Sequence, residues 1–428
     1  MKSDFRSVFT KWRASFHATK LAGAAWAFTA FFLILCSYYV LRPVRDEMAV
    51  QYGADNLHRL FTGTFLLMLI TVPAFGWLVK RLPRALVLPA TYGFFISNLA
   101  GFCLLFGLGA ASAGIAAAFF MWVSVFNLFA VSLFWSSVGD SFTTAESHRL
   151  YGYIAAGGTS GALAGPAVTA VLAQHVSTAY LVGMSALLLA GATVCMVRLR
   201  RRRPASAQDA QDPIRPIGGS VAAGISLTLR PGTLRNVALL VICYTALSTV
   251  LYVEMVNLVG KTYSGAGERK AFFASLDLAV NGLSLLLQML GTRRLVERHG
   301  LRLALSALPA VMLAGLGVLT VCGSLMLFAM VQTAHRVGEY AINRPGREMV
   351  YTTVDAESRY KAKNFIDTAV YRANDAASAW LIAMVRSMGL DAVVFIGIPA
   401  AIAWLLIGFK VGKKHDELRR ARANEPVR

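Results

Sequence analysis

About a dozen stretches of this chain are apolar over the roughly 20 residues a helix needs to cross a hydrocarbon core. No constraint on the fold is stronger. In lipid every backbone amide must find its partner inside the protein, so only helices or a closed barrel can span. The alternation of apolar and polar residues that marks barrel strands is absent, leaving an all-α membrane protein. Composition agrees: 56% of the 428 residues are hydrophobic and 15% charged, whereas soluble domains carry about a quarter charged residues.

Charges inside such spans are expensive in lipid and face an ionic partner or a water-filled cavity. Here they recur at Arg45, Glu254, Arg336, Glu339, Asp367, Arg372 and Asp375. The pattern suits a solute-conducting core better than an anchor or passive scaffold.

Hydropathy places spans at 21–41, 60–79, 85–108, 115–138, 150–172 and 178–197, then at 234–255, 271–291, 303–322, 324–343, 362–385 and 392–409. The expected organisation is an N-terminal six-helix bundle (1–197), a cytoplasmic linker (198–233) and a C-terminal six-helix bundle with a basic tail (234–428). The linker is charged and Pro-rich, and it can neither span lipid nor build a core. The first span lacks a small-residue cleavage site and is expected to be retained, not removed as a signal peptide.

Net charge is +20. Lys and Arg gather in alternate loops, which places both termini and the linker in the cytoplasm. That distribution explains the basicity without nucleic-acid binding. The five cysteines lack metal-ligand spacing and read as small buried hydrophobes. No metal, cofactor or covalent chemistry is expected.

The halves echo each other. LVKRLPRAL from Leu78 matches LVERHGLRLAL from Leu295, and DSFTTAESHRLYGY from Asp140 matches EMVYTTVDAESRYKAK from Glu348, at an offset of roughly 210 to 217 residues. Two six-span copies inserted the same way round imply twelve transmembrane helices in two pseudo-symmetric bundles. That is the major facilitator plan, with a site near the midplane.

Individual motifs leave alternatives open. The basic loop Lys80–Arg84 and its echo Glu297–Arg302 suit a charged gate, or ordinary positive-inside charge. Gly152, Gly161 and Gly165 with Pro166 form a smooth helix face, for close packing or for an antiporter-type motif. At the end of the first span Arg42 and Asp46, four apart, pair along one face, freeing Arg45 to point elsewhere. Glu254 either carries a coupling proton or pairs with Lys261 or Arg45. Asp277 and Asn281 make a second-tier polar stripe. Gln332, His335, Arg336, Glu339, Tyr340 and Asn343 share one helix face. Lys363, Asp367, Tyr371 or Arg372, and Asp375 form another. Two facing polar stripes supply the network that buried charges require, around a cavity or as a static salt-bridge cluster. His335 is the one candidate proton-linked histidine.

LRPVRDEMA from Leu41, SLFWSSVGDSFTTAESHRLYGYIAAGG from Ser132 and REMVYTTVDAESRYKAKNFID from Arg347 resemble the ATP/ADP antiporter family, the nucleotide transporters of the major facilitator superfamily. The resemblance runs from about Ser37 to Trp380. It implies exchange of nucleotides or related phosphorylated anions; the expected setting is a bacterial inner membrane, where a facilitator fold works as a monomer. Arg45 stands where the family has Lys. Glu254 matches its seventh-helix Glu, and Lys363 with Asp367 its pair opening the eleventh helix. The family's fourth-helix acid has no match, Asn127 being the nearest polar group. With the polar stripes, the expectation is that Arg45 and Lys363 contact the solute's negative charge, that Arg336 and Arg372 assist, and that Asn127 and Tyr340 also line its site. Glu254, Glu339, Asp367, Asp375 and Asp277 couple or gate. The alternatives are a proton-coupled carrier or exporter of another organic anion or amphiphile, and a scaffold or sensor that no longer transports.

Overall fold

The computed structural model describes residues 18–110, 112–142, 144–201, 226–229, 232–355, 358, 362, 363 and 365–423. These are helical almost throughout. The first half forms α1 (Ala18–Tyr52), α2 (Leu57–Arg81), α3 (Arg84–Gly107), α4 (Ala113–Ser141), α5 (Thr144–Leu172) and α6 (Thr178–Arg201). The second forms α7 (Thr233–Thr262), α8 (Ala266–Leu290), α9 (Thr292–Val321), α10 (Leu325–Gly338), α11 (Arg344–Tyr351), α12 (Tyr371–Ser387) and α13 (Ile398–Ala423). Three π-helical segments, Glu339–Asn343, Ile366–Val370 and Val393–Gly397, run without a break into α11, α12 and α13. Among the described residues ten helices are long and apolar enough to cross a membrane. Two more rods carry the polar stripes: the tenth in chain order, α10 through α11, and the eleventh, which opens at Ala362 and Lys363 and continues from Phe365 through α12.

Several helices outrun their hydropathy. α1 continues through Pro43 to Tyr52, so Arg45, Asp46 and Glu47 lie within it and not at its end. α7 runs to Thr262, which puts Glu254 well inside. The Arg-Pro-Gly-Arg-Glu run from Arg344 reads as a loop but is helical. Pro345 removes an N–H and crowds the carbonyl four residues back, and the wider π turn just before it relieves that crowding.

The chain divides into two compact units. The first comprises residues 1–44, 71–111 and 123–213, the second 45–70, 112–122 and 214–428. In the first, α5 lies hard against α1. A Cβ on Gly157 would sit 2.4 Å from the Phe28 carbonyl oxygen, on Gly161 2.2 Å from that of Phe32, and on Gly165 2.8 Å from that of Cys36. Gly152, expected on this face, meets nothing within 4 Å; Gly157 and Gly158 take its place. Stacked Phe31 and Phe134, 4.3 Å apart, and the Ser37–Ser185 hydroxyl pair at 2.7 Å fix the register further.

In the second unit α9 and α13 approach as closely, a Cβ on Gly412 falling 2.4 Å from Arg302 Cα. α9 breaks at Gly300, whose φ of 78° is open to glycine. The helix restarts at Leu301, and the Asp416 carboxylate of α13 accepts from the Leu301 and Arg302 amides, both at 3.1 Å. The core here gathers on Val241, Leu247, Leu251, Met312, Leu316 and the fully buried Trp404. Cys36 and Cys195 are buried as expected, but Cys322 closes α9 and is exposed. The linker over 202–225 and the side chains of Lys80, Arg84 and Glu297 lie outside the described residues.

Candidate functional site

Ten of the eleven predicted site residues fall in the second unit; Asn127, half-buried on α4, falls in the first. The rod α10–α11 explains most of what is drawn together. Glu339, Asn343, Arg347 and Tyr351 are spaced by four. In a straight α-helix each such step drifts about 40° around the axis. The π segment Glu339–Asn343 takes more residues per turn and counters that drift. The stripe therefore holds one side, and all four residues are buried.

Arg347 is the hub, and it was not among the predicted site residues. Its guanidinium lies 3.6 Å from Glu339 Oε1 and 3.6 Å from Asp367 Oδ1, with the Tyr244 ring centroid 5.2 Å away. The two acids come from two different π segments, so the local widening of both rods aims carboxylates at one cation. Asn343 Nδ2 donates to the second Glu339 oxygen. The spacing by four continues in the sequence to Arg347 and Tyr351, but both lie beyond the expected span at 324–343.

Along the eleventh rod, Lys363 Nζ donates to Glu348 Oε2 at 2.6 Å, both side chains being partly exposed. Arg372 Nη1 reaches Asp375 Oδ2 at 3.4 Å, and the other Asp375 oxygen accepts from Thr249 at 3.2 Å. Asp375 also lies in the field of Arg45. Arg372 is thus held by Asp375, and Lys363 by Glu348 with Asp367 also in its field.

Arg45 is not free of Asp46, contrary to expectation. Its Nε and Nη2 both donate to Asp46 Oδ1, at 3.0 and 2.6 Å, and Phe120 lies 5.2 Å from the guanidinium carbon. Tyr252 donates to the same Asp46 oxygen at 3.0 Å. Arg42 instead lies over Tyr39, 5.8 Å from its ring centroid. A long Arg side chain can fold back on its neighbour where a Tyr on another helix fixes the acid, which helical spacing cannot reveal.

Glu254 pairs with Arg386 in a two-bond fork, 3.1 and 2.7 Å, in place of the expected Lys261 or Arg45. Arg386 also reaches Asp55 at 3.4 Å. Arg386 follows the expected span at 362–385 directly and is not among the predicted site residues. Trp380 Nε1 donates to Thr62 at 3.0 Å, and its ring lies tilted against His58 with centroids 4.2 Å apart. Residues 54–62, although early in the sequence, therefore pack with α12.

Arg336 is committed to Asp277, at 2.7 Å, in a pair that is nearly buried. Tyr340 turns its ring to Arg344, 5.6 Å from the guanidinium carbon. His335 is buried edge-on to Trp404 with ring centroids 5.8 Å apart. Among the described residues no cluster of His, Cys, Asp and Glu could hold a metal ion. The chemistry on offer is exchange of ionic partners: cations held by internal carboxylates that an incoming oxyanion can replace.

Residues 27–338 match the family model of the Major Facilitator Superfamily. No curated protein sequence matches the chain. Among solved structures, a bacterial homologue of the iron transporter ferroportin in the inward-facing state aligns with a TM-score of 0.66 at 13% identity, over 92% of this chain and 99% of that one. The peptide transporter PepTSo aligns at 0.61 and 12% identity, over 94% and 99%. The nucleoside transporter NupG aligns at 0.58 and 12% identity, over 92% and 98%. Identities this low speak to the fold alone, and iron, peptides and nucleosides remain the business of those proteins.

Proposed function

This chain belongs to the major facilitator superfamily, and from that premise we propose that it exchanges nucleotides or related phosphorylated anions by alternating access. It is a multi-pass membrane protein and a secondary transporter of a small solute, not an enzyme. The nucleotide assignment is supported by the resemblance of its motifs to the ATP/ADP antiporters. One structural observation carries the anion reading. The two partly exposed cations of the eleventh rod, Lys363 and Arg372, each make one ion pair among the described residues, Lys363 with Asp367 also in its field. Such surface-near pairs are weak, so a phosphate with several charged oxygens displaces the carboxylate at little expense and binds Arg bidentately.

In this reading Lys363, Arg372 and Arg45 bind the solute. Glu348, Asp375 and Asp46 hold them when it is absent. Glu254, Glu339 and Asp367 set the remaining empty-state pairs. Arg336 and Asp277 brace each other, and Tyr340 contacts the non-phosphate part. The charge distribution of the loops supports cytoplasmic termini in a bacterial inner membrane, and the two six-span halves act within a monomer.

Reconstitution tests it. Proteoliposomes loaded with ADP should take up labelled ATP, and empty ones should not. Lys363→Gln should abolish the exchange, and Arg372→Gln should weaken it. Uptake of a labelled organic anion that nucleotides do not compete against, driven by a proton gradient, would replace this reading with that of a proton-coupled carrier. A broad anion panel that never moves would leave a non-transporting scaffold.

A further inference from the structure

We propose that Arg347 and Tyr351 form an oxyanion subsite inside the tenth rod, which receives a phosphate or carboxylate group of the cargo. The inference rests on the anion-transport reading and adds to it a site that neither the charge pattern nor the resemblance assigned.

Arg347 is 5% exposed. Its Nε and Nη1 make no hydrogen bond to any described residue. Both acids that neutralise it stand at 3.6 Å, outside the 2.7–3.2 Å of a protein hydrogen bond. Native proteins seldom leave a buried guanidinium in this condition, because its donors lose water and gain nothing. The Tyr351 hydroxyl, one turn on, is 1% exposed and equally without a partner. Three unfilled donors thus lie on one face of a continuous helix, and donors in that number call for an acceptor with several oxygens.

The surroundings are prepared for such a group. The Tyr244 ring lies 5.2 Å from the guanidinium carbon, near enough for a cation–π contact that restrains the fork. Lys363 Nζ is 5.8 Å from the Tyr351 ring centroid. The nearby cations Arg344, Arg347 and Lys363 are balanced by Glu339, Glu348 and Asp367, so an arriving anion meets no net repulsion. The Asp367 side chain is 34% exposed, which opens the cluster on that side. Entry there loosens Asp367 from Arg347 and puts an oxyanion on Nε and Nη1, while Glu339 stays as the inner counter-charge. Glu339 Oε1 and Asn343 Oδ1 also lack hydrogen bonds; they are acceptors suited to a hydroxyl of the same cargo.

The test uses the full chain in a maltoside detergent, where added salt is the only source of phosphate. Thermal unfolding is followed against inorganic phosphate and pyrophosphate, with sodium chloride at matched ionic strength as the control. Ligands that bind only the folded state raise the midpoint. The wild type should respond to both probes. Arg347→Gln should need at least about tenfold more probe for the same shift. Arg347→Lys should be intermediate, since it keeps charge but loses the fork. Tyr351→Phe should weaken the response severalfold. Should Arg347→Gln fail to fold, the charge-balanced Arg347→Gln/Glu339→Gln pair should fold and show the same loss. A wild-type response in that double variant overturns the subsite, and so does a wild type indifferent to both probes. If Lys363→Gln and Arg372→Gln remove the response while the double variant keeps it, anion transport stands and the Arg347 subsite falls.

Discussion

Replacing Arg386 with Gln should destabilise the protein through the charge it abandons. Arg386 holds Glu254 with two bonds, at 3.1 and 2.7 Å, and the two side chains are 18% and 16% exposed. Breaking a fully buried pair from one side costs about 3–5 kcal/mol, because the remaining ion is desolvated and uncompensated. Partial exposure screens some of that, so we expect about 2–3 kcal/mol for Arg386→Gln. Arg386→Lys keeps the charge and loses the parallel bonds, for about 1–2 kcal/mol. The informative variant is Arg386→Gln/Glu254→Gln. Removing both charges leaves two amides able to bond each other, and the double variant should regain most of the loss, a coupling of about 1–3 kcal/mol. Asp55, the third member, is 91% exposed on its side chain, and Asp55→Asn should change nothing measurable. Equilibrium denaturation in mixed micelles of Arg386→Gln, Glu254→Gln and the double variant, beside the wild type, gives the cycle. Additive single effects, or an Arg386→Gln within about 0.5 kcal/mol of wild type, would mean the fork does not couple and the reasoning fails.

Gly161→Ala puts a methyl 2.2 Å from the Phe32 carbonyl oxygen, so α5 must move off α1; a loss of about 1–3 kcal/mol is expected in the same denaturation assay. Gly152→Ala, where nothing lies within 4 Å, should be neutral or slightly stabilising. Asp416→Ala removes the acceptor from the Leu301 and Arg302 amides and should destabilise by about 1 kcal/mol, with faster amide hydrogen exchange confined to the restart of α9. Asp277→Asn should lower the unfolding midpoint more than Asp277→Asn combined with Arg336→Gln, because the single change strands a guanidinium that is 12% exposed.

Much of this protein can be read from its letters. Lipid leaves a backbone one economical solution, so hydropathy alone yields helices and their approximate places, and the Glu339–Asn343 spacing announces a polar side on the tenth rod. Glycines in the fifth span announce close packing, although Gly157 and not Gly152 touches α1. The partners were harder. Helical spacing proposes Arg42 for Asp46, and an interfacial pairing offers Lys261 or Arg45 for Glu254; the fold supplies Arg45, Tyr252 and Arg386. Span ends were drawn where charge begins, yet α1, α7 and the tenth rod carry helix through their charges.

The reason lies in what is local. That a segment is helical, and which residues recur along one side of it, depends on its own side chains and the solvent around it, so both are largely legible in the letters apart from the ends of the spans. Which cation meets which acid depends on how far each rod is rotated and slid against its neighbours. Here a π turn at Glu339 and another at Ile366 rotate two faces toward Arg347, and glycine contacts at Gly412 and Gly161 set the depth of approach. Those displacements sum over contacts hundreds of residues apart, so the hub at Arg347 exists only once the helices are packed.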